Sequence, residues 1–251
     1  MNTFDRVAEV EAILAEDETA LGSVWRHLQE GLSIKEIADL LEVTPGPVYA
    51  NDSLIRVLRD GYIPPGPTVA TQSAARIRSW LANKTLSPEL RTALEEQESL
   101  VRSRAEDKSA QAAETKRATE VSEAAERVGT PGIYVYTLPH YLRHPYDPET
   151  GRTMLKVGHS AVDAVYRASS QGRFTALPED PILLRIYPVD ASADAEKKFH
   201  SWLRDADHPT NRTLRGGSEW FVTSTKFLDR VADALGLEVQ VINDLETLED
   251  M

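Results

Sequence analysis

Few side chains in this chain are able to do chemistry, and most of them lie in its C-terminal half. The 251 residues include no cysteine, so thiolate catalysis, disulfides and cysteine-built zinc sites are excluded, leaving His, Asp and Glu as the strong metal ligands. Any metal they hold is expected to be a hard one. Lys156 and His159 stand three residues apart in one β-like run, Arg167 follows Lys156 by eleven, and Glu196 and His200 are four apart on one face of a helical stretch. A guanidinium such as that of Arg167 suits the fork of a phosphate. Taken singly, each residue also has an ordinary reading. Tyr134 and Tyr136 alternate as strand aromatics do, Glu196 with Lys197 and Lys198 reads as a solvated helix face, and Arg167 as a surface residue.

Net charge bears on the same question. The formal charge of -12 argues against a nucleic-acid partner, because phosphates are neutralised by Lys and Arg. The deficit is not uniform, however: residues 1–62 hold 12 acidic and 5 basic residues, whereas residues 131–231 hold 12 and 13. A local basic groove in the second half is therefore compatible with the average. Residues 205–218 include Arg212 and Arg215 beside Gly216-Gly217, a loop suited to following a phosphate backbone. No apolar run approaches a membrane span, and Met1 to Leu21 is acidic and amphipathic rather than basic and then apolar, so a cytoplasmic protein without membrane contact is expected.

The elements that must position these residues fall into two kinds. Apolar residues at helical spacing from Phe4 to Leu28, interrupted near Asp17–Thr19, predict one or two helices ended by Gly31. Ser33 with Glu36 three residues on predicts a capping box. The segment Ser33 to Leu58 resembles a helix-turn-helix, with Ala38 at the helix contact, Val43 in the turn and Val48 facing back, although Glu42 takes the turn position usually given to Gly. A weak repeat has Ser33, Ser53 and Ser73 opening helices twenty residues apart, and Pro45-Gly46-Pro47 recurring as Pro65-Gly66-Pro67. From Ser87-Pro88 to Gly129 no further Pro or Gly intervenes, which predicts one long charged helix. Leu90 to Val101 is its apolar stretch, where a second copy of the chain could associate. After Gly129-Thr130-Pro131 the pattern turns to short β-like runs at 132–136, 154–158, 182–187 and 219–222. Helices are expected over 162–170, from Ser192 to Leu203 and from a Ser224 cap to about Leu235. Val239 to Ile242 could add an edge strand.

Gly132-Ile133-Tyr134, Lys156-Val157-Gly158, Arg167, Glu196 and Glu219-Trp220-Phe221 occur in an order and spacing that resembles a GIY-YIG nuclease domain over about residues 131–225. The resemblance is to the branch, found in phage proteins and some restriction endonucleases, that has Lys in place of the second Tyr. It implies that Tyr134 acts on the attacking water, that Lys156 positions that water or lowers the tyrosine pKa from about 10, and that Arg167 binds the phosphate as charge builds. It further implies that Glu196 holds one Mg²⁺ or Mn²⁺ ion. His159 matches a polar active-site position of some members, and His200 either assists at the metal or packs. Two features depart from the pattern: the link from Leu138 to Arg152 is long, and the family's late asparagine has only Asn211 as a candidate. Glu219 is expected to be structural.

The fold class read from the chain is α+β. It comprises an all-α, helix-turn-helix-like module over 1–86, a long connecting helix over 87–129, a small α/β domain with a short, mostly antiparallel central sheet over 130–236, and an acidic tail over 237–251. The function this implies is metal-dependent hydrolysis of DNA phosphodiesters. The partners are DNA and a second copy paired through the N-terminal module or the long helix. The alternative is a DNA-binding regulator or scaffold whose GIY-YIG-like domain is inactive.

Overall fold

The computed structural model describes residues 4–147, 150–160, 179–208 and 219–244. Its described residues form ten helices and one five-stranded antiparallel sheet, and divide into two compact units near Gln111. Among them no helix is long and apolar enough to cross a membrane.

The first unit is helical: α1 (Arg6–Glu16), α2 (Ala20–Gln29), α3 (Ile34–Leu40), α4 (Pro45–Asp60), α5 (Pro67–Asn83) and α6 (Pro88–Ala105). Their starts are written in the chain. The Ser33 hydroxyl accepts from the Glu36 backbone N–H while the Glu36 carboxylate accepts from the Ser33 backbone, a complete capping box. Ser87 caps α6 through the Leu90 N–H at 3.1 Å and donates its own N–H to Glu9 at 2.8 Å. Proline at the first turn of α4, α5 and α6 supplies a preset φ where a missing N–H costs nothing. Val10, Leu14, Ile37, Val57, Leu58, Ile77, Leu90 and Leu94 form its buried core.

Three expectations change here. Ser53 and Ser73 do not open helices. They lie buried inside α4 and α5, which begin earlier because Pro45 and Pro67 occupy the first turns. The single long helix is two, α6 and α7 (Lys108–Val128), because Asp107 Oδ1 accepts from the backbone N–H groups of Ser109 and Ala110 and so caps a new start. Leu90, Leu94 and Val101, the stretch expected to meet a second copy, are fully buried in this unit's own core.

In the second unit the strands are β1 (Gly132–Thr137), β2 (Thr153–Ser160), β3 (Ile182–Pro188), β4 (Trp220–Thr223) and β5 (Gln240–Val241), in the spatial order β4-β2-β1-β3-β5. The helices α8 (Pro139–Arg143), α9 (Ser192–Asp205) and α10 (Thr225–Ala234) accompany them. Gly132 is required by close approach: a Cβ there would fall 2.4 Å from the Tyr187 carbonyl oxygen on β3. The sheet also buries a charge. Arg185 Nε lies 3.4 Å from Asp229 Oδ2, whose other oxygen accepts from the Tyr187 hydroxyl at 2.8 Å. Burial alone would lower the Arg185 pKa, but the carboxylates of Asp229 and Asp244 outweigh it and raise it. Asn243 joins the same interior by donating to the carbonyls of Ala118 and Leu183.

Candidate active site

Strand register decides which side chains meet. β1 and β2 oppose Tyr134 to Gly158, Tyr136 to Lys156 and Ile133 to His159. Directly opposed residues of an antiparallel pair project to one face. Tyr134, Tyr136 and Lys156 therefore share a face with the space above Gly158, and His159 leaves by the other. α9 packs along β2 and brings Glu196 to the strand between these two directions.

The Glu196 carboxylate reaches both. Its Oε2 lies 3.6 Å from His159 Nε2, and the other ring nitrogen of His159 is 3.2 Å from the hydroxyl of buried Ser192. Its Oε1 comes within 3.9 Å of the point that a Cβ on Gly158 would occupy, and Glu219 Oε2 comes within the same 3.9 Å. Glu219 in turn lies 3.2 Å from Lys156 Nζ. The lack of a side chain at Gly158 thus leaves a notch bounded by two carboxylates and an ammonium. Among the described residues Glu196 Oε1, buried there, has no hydrogen-bond partner, an arrangement that costs free energy unless a cation or donor completes it.

Tyr134 and Tyr136 are held from behind. Tyr134 is 4% exposed, lies in an apolar cluster with Leu183 and Ile186, and donates its hydroxyl proton to the Thr130 carbonyl. The Tyr136 ring stacks at a centroid distance of 6.3 Å, and its hydroxyl donates to Glu126 Oε1 at 3.0 Å. Burial, reinforced by the Glu126 carboxylate, pushes the Tyr136 phenol far above its ordinary value, and burial also raises Glu126. His200 does not reach the notch through Nε2, which donates to the Val157 carbonyl at 2.9 Å, and its ring packs 4.9 Å from that of Phe221. Arg167, Arg212, Arg215, Asn211 and the helix expected over 162–170 lie outside the described residues.

Two further residues lie beside these side chains. Ser192 reads in the sequence as a helix opener, yet the N-cap is Ala191 and the Ser192 hydroxyl faces His159. Glu219 reads as structural. Its place beside Lys156 follows from the pairing of β4 with β2, which opposes Trp220 to Lys156.

The donor set fits a hard divalent cation held mainly by water and substrate oxygens, since Mg²⁺ is commonly bound through only one or two carboxylates. Among the described residues no group of three or more His, Asp or Glu converges in the manner of a closed metal cage.

The helix-turn-helix resemblance gains less. Ala38 and Val48 are buried at the α3–α4 contact as expected, and Glu42 adopts a positive φ of 51° in the turn. But α4 is the packed centre of its unit, and Pro45, Tyr49 and Asp60 are its exposed residues. Its arginines are engaged internally: Arg56 stacks over Tyr62 at 4.1 Å and Arg59 pairs with Asp60 at 2.7 Å.

No family model matches the chain, and no curated protein or solved structure matches it either.

Proposed function

We propose that the second unit is a GIY-YIG-like phosphodiesterase that hydrolyses DNA with one divalent cation. The observation that carries this reading is the buried Glu196 Oε1 beside the Gly158 notch, which has no hydrogen-bond partner among the described residues, with Lys156 and the Tyr134 strand alongside. Glu196 is the residue that would hold Mg²⁺ or Mn²⁺, and a bound cation supplies positive charge against a nonbridging phosphate oxygen and the leaving group. Lys156 adds a second positive charge at the notch and draws the phosphodiester to it. Tyr134 acts on the attacking water in this reading, as the resemblance implies, and the proton that the water loses passes to solvent. His159, fixed by Ser192 on one nitrogen and facing Glu196 with the other, orients the carboxylate that would hold the cation. Direct attack by water then breaks one P–O bond, with no covalent intermediate on the protein. Arg167, Arg212 and Arg215 complete the phosphate contacts in this reading.

A second reading rests on one observation: the Tyr134 hydroxyl is already committed to Thr130. On that basis the domain binds DNA without turnover and the protein is a regulator or scaffold. Incubating the full chain with supercoiled plasmid, and separately with single-stranded DNA, in Mg²⁺, Mn²⁺ or EDTA separates the two. Metal-dependent nicking that is absent in Glu196→Ala and slowed but measurable in Lys156→Met supports hydrolysis. Salt-sensitive DNA retention with no cleavage of either substrate supports the binding protein.

A further inference from the structure

We propose that Glu219 is a positioning residue, whose carboxylate fixes the Lys156 ammonium over the Gly158 notch, opposite the open oxygen of Glu196. The proposal rests on the phosphodiesterase reading and adds to it the group that holds its cationic side chain in place. Two contacts lock Glu219 to β2. Its backbone carbonyl accepts from the Val157 N–H at 2.9 Å, and its carboxylate reaches Lys156 Nζ at 3.2 Å while lying 3.9 Å from the missing Gly158 side chain. A neighbouring residue adds a third anchor: Trp220, opposed to Lys156 in the ladder, packs edge-on against Tyr141 at 6.4 Å. The strand start that carries Glu219 is therefore fixed relative to Lys156.

The ion pair contributes little to stability. Glu219 is 38% exposed, and solvent screens a pair of that kind. Its consequence is geometric. A lysine has four flexible side-chain torsions and acts as a point charge, so the contact with Glu219 narrows the positions its ammonium takes. With Glu219 in place it stays beside the Gly158 notch that Glu196 Oε1 also borders, where a phosphate meets both charges.

The test is a double-mutant cycle read in kcat and KM, joined to an NMR measurement on the same proteins. Glu219→Gln is expected to lower kcat about 10-fold or more while KM for plasmid and Tm stay near wild type. In a Lys156→Met background the same substitution should cost less than about 3-fold, because the residue it acts through is gone. Glu219→Asp should recover part of the loss. The ¹⁵N order parameter of the Lys156 ammonium should fall in Glu219→Gln and fall further in Glu219→Ala. Equal losses with and without Lys156, or no loss at all, overturn the proposal. If the wild type cleaves nothing, the phosphodiesterase reading fails by itself. The ammonium order parameter then decides the placement of Lys156, and an unchanged value in both Glu219 variants overturns it.

Discussion

Asp17 in the helical unit and Glu196 in the α/β unit are both largely buried carboxylates, with side chains 3% and 17% exposed. Their surroundings differ. Asp17 accepts from the Thr19 N–H and the Lys84 ammonium, each at 2.7 Å, and from the Thr19 hydroxyl. Burial pushes its carboxyl up, but the bonds from Lys84 and Thr19 outweigh that and leave it below the ordinary aspartate value. Glu196 has an ion-pair contact to His159 on one oxygen and, among the described residues, no hydrogen-bond partner on the other. A saturated charge serves the fold. An open one is a cost to the fold, and such costs collect where a ligand is to be bound.

The contrast can be broken or sharpened by substitution, and the largest expected effect is at another saturated charge. Arg185→Met leaves Asp229 buried with the Tyr187 hydroxyl as its donor, and should destabilise the protein by about 3–5 kcal/mol in urea unfolding followed by circular dichroism. Asp17→Ala removes the acceptor shared by Thr19 and Lys84 and should cost about 2–3 kcal/mol, less than at Arg185 because Lys84 can reach water. The Asp17 contribution also depends on pH. A depressed folded-state pKa gives stability that is full above the unfolded value, about 4, and is lost as pH falls through the folded value. Tm measured between pH 5 and pH 2 should therefore fall less steeply in Asp17→Asn than in wild type.

Ser33→Ala opens the exposed capping box of α3 and should cost about 1 kcal/mol in the same urea unfolding. The smallest effects on stability are expected at the notch. Gly158→Ala places a methyl 3.9 Å from both carboxylates, an ordinary contact distance, so Tm should hardly change while the space facing Glu196 is filled and plasmid nicking is lost. A large loss of Tm in Gly158→Ala would mean that the notch is a packing feature and that the contrast with Asp17 is false.

Much of this architecture is legible in the chain because local chemistry writes it. The Ser33 and Ser224 caps, Pro88 after Ser87, the turn at Gly129 and the strand cores at 132–136, 154–158 and 182–187 need only neighbouring residues, and the structure has each of them. The break at Asp107 escapes notice because a stretch rich in Ala, Glu, Lys and Arg favours helix on either side of it. The cap shows only when the Asp107 side chain turns back to Ser109 and Ala110. Ser53 and Ser73 mislead for the opposite reason, since residues that favour caps are here buried within helices whose prolines had already set the start. At the site, Lys156, His159 and Glu196 stand out as chemical types, and the structure gathers them around Gly158. Glu219 and Ser192 do not stand out, because their positions depend on which strand pairs with β2 and on how α9 enters. Neither is encoded within a few residues.

Binding of Mn²⁺ followed by electron paramagnetic resonance on wild type, Glu196→Gln and Asp17→Asn tests the open carboxylate most directly. One Mn²⁺ per chain in wild type and Asp17→Asn, lost in Glu196→Gln with Tm in the absence of metal unchanged or raised, is the result this account predicts. Equal Mn²⁺ binding in wild type and Glu196→Gln, or a loss of Tm in Glu196→Gln as large as at Asp17, would contradict it.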